Sequence, residues 1–596
     1  MQRGNEERHQ KDLLNNSSRR AFLGKLGFGG AATVALAVGI PLEPLIEGKR
    51  GEAEASVVPY LSSSRAIGSY NYRRNTAQND KIDVGVLPDN GDLRRFSDYS
   101  GLWSKALQHD ALGIPSRASY QSFLYALTTG RFQDFENILV GNPGGTAFTS
   151  KLNGPQAALA FDLEGFDSHA VVIPPAPSVT SAQTAAEMVE HYWCALMRDV
   201  RFNDYSSSSL AAQACADLNN LSYVRSQQNT EYPYPVTPQN LFCGQVFPGD
   251  GNVQGPYLSQ FFLQPTFMGA QPITQLFQRF LSVDEGGADY MTSVAEYRNI
   301  ASGGVPSYQL VFDPTYRHFR MGRDLAAYVH VDVLFQEFFT ALMVLAGIGC
   351  PLNPGNPYIG SRTEQGFGTF GSPYANPDAA GTIAEMATRA LKAAWFHKWI
   401  VNLRMRPEEY GALVHANLTH QTPMPQAGTA LHADVLKSAV LPMIHAQQGT
   451  YLLSQAYPEG APSHPCYPTG HGTIAGACIA ALKFFFDGNQ SIRPMLVAAG
   501  SDVMVPSSDG LSLVPYTGAD RDQLTVNGEL SKLGFNTTFA HGIHAGIHFR
   551  SSSLYSLLLG EIVGLSVLQD RAKSYNEPFT IRITKFDGTR ATISNQ

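Results

Sequence analysis

Helical periodicity recurs along this chain between residues 181 and 575, whereas two-residue alternation shows clearly only near the C-terminus. That imbalance limits the fold more than any other feature, because apolar positions spaced three and four apart bury a common face only when they are helical. Ser181-Ala182-Gln183-Thr184 opens one such stretch, reaching Val200, with Ser181 placed as its cap. Further helices are expected over 210–218, 257–263, 288–301, 323–346, 380–404, 472–486 and 552–575. Between them run Gly/Pro-rich loops such as Cys350-Pro351-Leu352-Asn353-Pro354-Gly355-Asn356-Pro357. The alternating segment, 579–586, is followed by Asp587-Gly588 and 589–593, which reads as a hairpin. The expected architecture is mainly α: helical bundles, two four-helix-bundle-like cores, with long loops and a small C-terminal β-hairpin. Residues 56 to about 115 are polar with little helical periodicity and read as an arm over the surface or a partner subunit.

The N-terminus carries an address. Ser18-Arg19-Arg20-Ala21-Phe22-Leu23-Gly24-Lys25 precedes a Gly/Ala-rich apolar run, 26–40, and Ala53-Glu54-Ala55 offers a small-residue cleavage site. Residues 1–55 therefore read as a twin-arginine export signal, which implies a periplasmic or extracellular protein with no membrane attachment once it is removed. The apolar run is shorter than the roughly twenty residues a membrane span needs. Formal net charge is −7, which argues against a nucleic-acid surface. The six cysteines show neither zinc-site spacing nor disulfide-scaffold density, leaving room for one or two bridges after export. Asp162 and Glu164 could offer oxygens to calcium, but without the spacing of a helix-loop-helix calcium site. The Gly-rich runs at 303–304 and 366–371 lack the strand and helix context of a nucleotide site.

Chemistry concentrates in three segments. Lys398 lies near the end of the 380–404 helix, and Arg406 stands before Pro407, where the chain is pushed out of helical geometry. One supplies a point charge and the other a planar fork, complementary donors for an oxyanion. Either could also be an idle cation at a helix C-terminus. Thr469-Gly470-His471 precedes the Gly/Ala-rich helix 472–486, whose N-terminal amides suit an anion. There Thr469 can donate its hydroxyl, Gly470 can let backbone approach closely, and His471 can act as acid or base. The third segment is Gly546-Ile547-His548.

Taken in order, Lys-x₇-Arg-Pro, Pro-(Ser/Thr)-Gly-His and Gly-(Ile/Val)-His resemble the signature of the vanadium-dependent haloperoxidases, which share a core with type 2 phosphatidic acid phosphatases and bacterial acid phosphatases. Stretches such as Asn90-Gly91-Asp92, Asn153-Gly154-Pro155-Gln156-Ala157 and Gly322-Arg323-Asp324-Leu325-Ala326 are similar to bromoperoxidase-type members, and the likeness spans nearly all of 85–596. It implies a vanadate cofactor with His548 as metal ligand. Lys398, Arg406, Thr469 and Gly470 would hold vanadate oxygens, and His471 would be the acid–base partner. Lys398 and His464 would join His471 as catalytic residues, and His464 points to bromide or iodide rather than chloride. The substrates would be hydrogen peroxide and halide, the product a hypohalous acid equivalent that halogenates small organic nucleophiles, and the assembly a homo-oligomer. On this reading 56–370 is an N-terminal arm and helical region, and 371–596 the catalytic bundle with its hairpin.

Three positions depart from the pattern. Gly542 stands six residues before His548, where the pattern has Arg; Thr469 stands where Ser is usual; Ser552 replaces an Asp often found four residues after the ligand. Loss of a guanidinium from an anion site costs several kcal/mol of charge-assisted bonding, roughly 1.5–3 per hydrogen bond. His541 or His544 is expected to replace it in part. Two alternatives share these residues: an acid-phosphatase-like enzyme with His548 as nucleophile, and an exported anion-binding homologue without turnover.

Overall fold

The computed structural model describes residues 62–79, 87–110, 113–165, 167, 170–244, 254–359, 377–419 and 430–596. The export signal read in residues 1–55 lies outside them. The chain falls into two units, Met1–Thr76 and Ala77–Gln596. A polar helix spans Ser62–Asn79, within the segment expected to be an arm without helical structure. The second unit holds everything below.

The chain is mainly helical, as the periodicity implies. Helix α1 (Ala182–Met197) begins where expected, with Ser181 Oγ accepting from the Thr184 amide at 3.1 Å. Helices Ser209–Asn220, Pro407–Leu418, Ala433–Leu436 and Val440–Gln448 pack round it. The stretch expected as one helix over 323–346 is two: α2 (Gly322–His330) and α3 (Gln336–Gly347). Val331 and Val333, β-branched and poor helix formers, flank Asp332 at the break. Gln336 Oε1 accepts from the Val333 amide at 3.1 Å, a local bond that competes with helix continuation. The helix expected over 257–263 is only a short 3₁₀ turn, Gln260–Phe262.

A second bundle carries the chemistry: α4 (Pro377–Phe396), followed in the chain by α5 (Pro407–Leu418) of the first group, then α6 (Gly470–Phe485), α7 (Val526–Phe539) and α8 (Arg550–Ala572). At its centre α6, every residue of which is buried, lies against α4, α7 and α8. Small residues let α6 and α8 approach backbone to backbone. A Cβ on Gly476 would stand 2.1 Å from the Leu557 carbonyl oxygen, and one on Gly560 would stand 1.9 Å from that of Thr473. Helix α8 is long and apolar enough to cross a membrane, a property the sequence reading did not assign to it, yet it is mostly buried as a core helix. The C-terminal hairpin pairs β1 (Thr580–Thr584) with β2 (Arg590–Ser594) in the expected antiparallel register. Two more short strand pairs, Thr266–Met268 with Gln271–Ile273 and Met504–Pro506 with Leu513–Pro515, were not foreseen.

No disulfide joins any of the six cysteines among the described residues, so the bridges left open by the sequence are not formed. Asp162 and Glu164 face cations, Lys392 at 2.7 Å and Arg389 at 3.1 Å.

Candidate active site

Two π-helical turns and one helix N-terminus assemble the site. After α4 the chain widens into a π turn, His397–Asn402, and ends at Leu403 in a left-handed conformation (φ 44). Such bulges recur at functional sites because they re-aim one side chain without ending the helix. Here the turn carries Lys398, whose ammonium donates to the carbonyls of Pro465 (2.9 Å) and Cys466 (3.1 Å). Arg406 is extended and leads into Pro407 at the first turn of α5, as its position before proline requires. Its backbone amide is held by Glu409 Oε2 at 2.7 Å.

The Arg406 fork ties the segments together. Nε donates to the His464 carbonyl at 2.8 Å, Nη2 reaches His464 Nδ1 at 2.8 Å, and Nη1 reaches both the Ile547 carbonyl and His548 Nε2 at 2.8 Å. Thr469 caps α6, and its hydroxyl is buried with no partner among the described residues. His471, in the first turn of α6, is gripped by Asp332 Oδ2 at 2.9 Å. On its other side the His471 ring stacks on His541, centroids 4.1 Å apart, and His541 lies 5.6 Å from His548. His464 lies 4.9 Å from the Trp395 ring and 6.4 Å from His548. Lys398, Arg406, Thr469, Gly470, His471, His464, His541 and His548 therefore belong to one locus.

One expectation needs correction. His544 does not join the site: its nitrogens are taken by Cys194 Sγ (3.2 Å) and Tyr257 Oη (3.1 Å), among Phe202 and Phe242. The second π turn, Ala540–His544, directs His541 to one side and His544 to the other. Gly470 is closely packed, since a Cβ there would sit 3.2 Å from the Trp395 ring and 3.3 Å from Leu391.

The site also uses groups the sequence did not single out. Asp332 is delivered by the break between α2 and α3, and a reading of 323–346 as one helix conceals it. Trp395 and Cys466 have no signature of their own, yet Trp395 backs His464 and Cys466 Sγ lies 3.4 Å from His548 Nδ1. A cavity of about 460 Å³ reaches the cluster at His541 and Ile547, with His330, Tyr457 and Glu459 in its wall. There His330 Nε2 meets Glu459 Oε1 at 2.5 Å.

No family model matches the chain. Among curated proteins it is 29% identical over 580 residues to a vanadium-dependent bromoperoxidase of Corallina pilulifera, covering 85% of this chain and 92% of that protein. It is 29% identical over 505 residues to one of Ascophyllum nodosum, covering 83% and 86%. The chain is thus similar to vanadium-dependent bromoperoxidases over most of its length. The homohexameric structure of the second vanadate-dependent bromoperoxidase of Ascophyllum nodosum shares the fold, with a TM-score of 0.80 over 94% of this chain and 95% of that one at 24% identity.

The donor set fits the vanadate on which these similar bromoperoxidases depend. Lys398 and Arg406 are fully buried, and neither has a carboxylate within ion-pair distance among the described residues. Burial, and then the neighbouring guanidinium, push the Lys398 ammonium well below the usual lysine range. Burial likewise drives His464, His541 and His548 far below the ordinary histidine range, helped by adjacent cations and, for His541, by His471. Buried cations without counter-charge are costly, and a bound oxyanion relieves that cost. The unpartnered hydroxyl of Thr469 at the α6 N-terminus adds a donor aimed at the same need.

Proposed function

We propose that this protein is a vanadium-dependent haloperoxidase that oxidises halide, with bromide and iodide favoured, using hydrogen peroxide to give a hypohalous acid equivalent. The observation that carries this reading is the meeting of Lys398, Arg406, Thr469, His471 and His548 from three separate segments at one buried, cation-rich point. His548 Nε2 would hold the metal, and Lys398, Arg406, Thr469 and the Gly470 amide its oxygens. Bound there, vanadate supplies a Lewis-acidic centre that activates peroxide toward halide.

The remaining work falls to this chain's own side chains. Asp332 holds the Nε2 proton of His471, which leaves Nδ1 as the basic nitrogen for proton exchange. His464, fixed by Arg406 and backed by Trp395, presents a polar edge beside the metal ligand, the feature behind the halide preference. The cavity ending at His541 is the route for peroxide, halide and organic acceptors. The test is halogenation of monochlorodimedone by protein incubated with orthovanadate, run beside p-nitrophenyl phosphate hydrolysis. Vanadate-dependent, bromide-dependent turnover is expected; phosphate release without halogenation would overturn the assignment.

Export by the twin-arginine route to the periplasm or exterior is part of this proposal, supported by Arg19-Arg20 and Ala53-Glu54-Ala55. So is a homo-oligomer, supported by the homohexameric Ascophyllum structure of the same fold. Fractionation of expressing cells and light scattering of the purified protein test the two.

A further inference from the structure

We infer that His541 is an anion-binding residue of this site, supplying from the neighbouring position the contact that arginine makes where this chain has Gly542. The inference rests on the vanadate reading above and adds to it.

The space at residue 542 itself is tight. A Cβ on Gly542 would stand 2.6 Å from Ser553 Oγ, 3.2 Å from the His548 carbonyl oxygen and 3.4 Å from His548 Cβ, so a side chain there meets its neighbours at once. The π turn over Ala540–His544 instead turns residue 541 toward the site. His541 lies face to face with His471 at 4.1 Å, 5.6 Å from the His548 ring, and forms part of the cavity wall. Its Nδ1 is buried and has no hydrogen-bond partner among the described residues.

Buried polar atoms are nearly always paired, so an orphaned one beside an anion site calls for a partner that the anion can supply. Another orphan beside these residues is Thr469 Oγ1, at the N-terminus of α6. Two unsatisfied groups beside the free-standing cations Lys398 and Arg406 are what an oxyanion with several acceptor oxygens would satisfy together. His544, the other histidine of the turn, cannot substitute, because Cys194 and Tyr257 hold both its nitrogens. An imidazole offers one donor where a guanidinium offers a fork, so this site holds its anion with one contact fewer.

The test is equilibrium dialysis of orthovanadate against the full-length protein, with vanadium quantified by elemental analysis, a readout independent of turnover. His541→Phe keeps the stacked ring and removes the nitrogens, and His541→Gln restores a donor. His541→Phe is expected to bind vanadate roughly tenfold more weakly than wild type, with His541→Gln recovering most of the loss. Melting curves without vanadate verify that each variant is folded, and the vanadate-induced rise in Tm gives a second measure of binding. Equal affinity of wild type and His541→Phe would overturn the role of His541 and leave the cofactor reading standing. No vanadate uptake by the wild type would overturn both.

Discussion

Arg406 and His548 meet at 2.8 Å, guanidinium Nη1 to imidazole Nε2. A guanidinium has only donors, so Nε2 must be the unprotonated nitrogen and the ring proton sits on Nδ1, which faces Cys466 Sγ at 3.4 Å. The arginine thus selects the tautomer that leaves a lone pair on the atom expected to hold the metal. A second histidine, His464, has its Nδ1 in the same acceptor relation to Nη2.

Replacing Arg406 therefore removes an anion contact and a tautomer control together. Arg406→Lys keeps a charge but not the fork, and Arg406→Ala keeps neither. Vanadate affinity is expected to fall by about 10² for Arg406→Ala, the scale of two or more charge-assisted bonds, with a smaller loss for Arg406→Lys. Equilibrium dialysis measures both, and wild-type affinity in Arg406→Ala would refute the arrangement.

Asp332 grips His471, both carboxylate oxygens lying within 3.1 Å of Nε2. Asp332→Asn preserves size while removing the charge that fixes the imidazole. The expected outcome is a fall in kcat of about 10²-fold, within the range for disrupted acid–base groups, with vanadate affinity changed less than about threefold. Steady-state bromination paired with dialysis separates the two effects.

Glu337 is buried, its carboxylate oxygens have no donors among the described residues, and burial followed by the facing Asp332 carboxylate raises its pKa well above the usual glutamate range. The folded state therefore binds a proton that the unfolded chain releases. The stability held by that proton is complete below the ordinary glutamate value. It is lost, at most about 1.4 kcal/mol per pH unit, as pH rises toward the raised value. Glu337→Gln carries no such proton. Its Tm relative to wild type is expected to climb as pH increases from 5 to 8, and a pH-independent difference would contradict the assignment.

Gly476→Ala pits two effects against each other. Helix propensity favours alanine by about 1 kcal/mol. The new Cβ, however, would lie 2.1 Å from the Leu557 backbone oxygen, which no rotamer change can relieve. Overpacking typically costs about 1–3 kcal/mol and here falls on the central helix pair, so net destabilisation is expected in thermal or urea unfolding. A gain in stability would show that α6 and α8 can separate freely.

Much of the molecule was legible before any coordinates. Ser181 with Thr184 marks the start of α1, and the Gly/Ala-rich run after His471 becomes the buried α6. Arg406 before Pro407 leaves helical geometry because the proline ring demands it locally. The order Lys398, Arg406, Thr469-Gly470-His471, His548 was enough to name the family. What failed were readings whose outcome depends on neighbours. The 323–346 periodicity continues through Asp332, and the helix breaks there while Asp332 bonds to a histidine 139 residues away.

The sequence by itself determined the helical class and the segments that carry donors, because propensity, capping and motif spacing are local properties. Only the tertiary structure decided between His541 and His544, revealed Asp332 as the partner of His471, and assigned Gly470 to packing against Trp395. Those outcomes depend on which surfaces α2, α4 and α6 present to one another, and a side chain's direction is set by the space its neighbours leave.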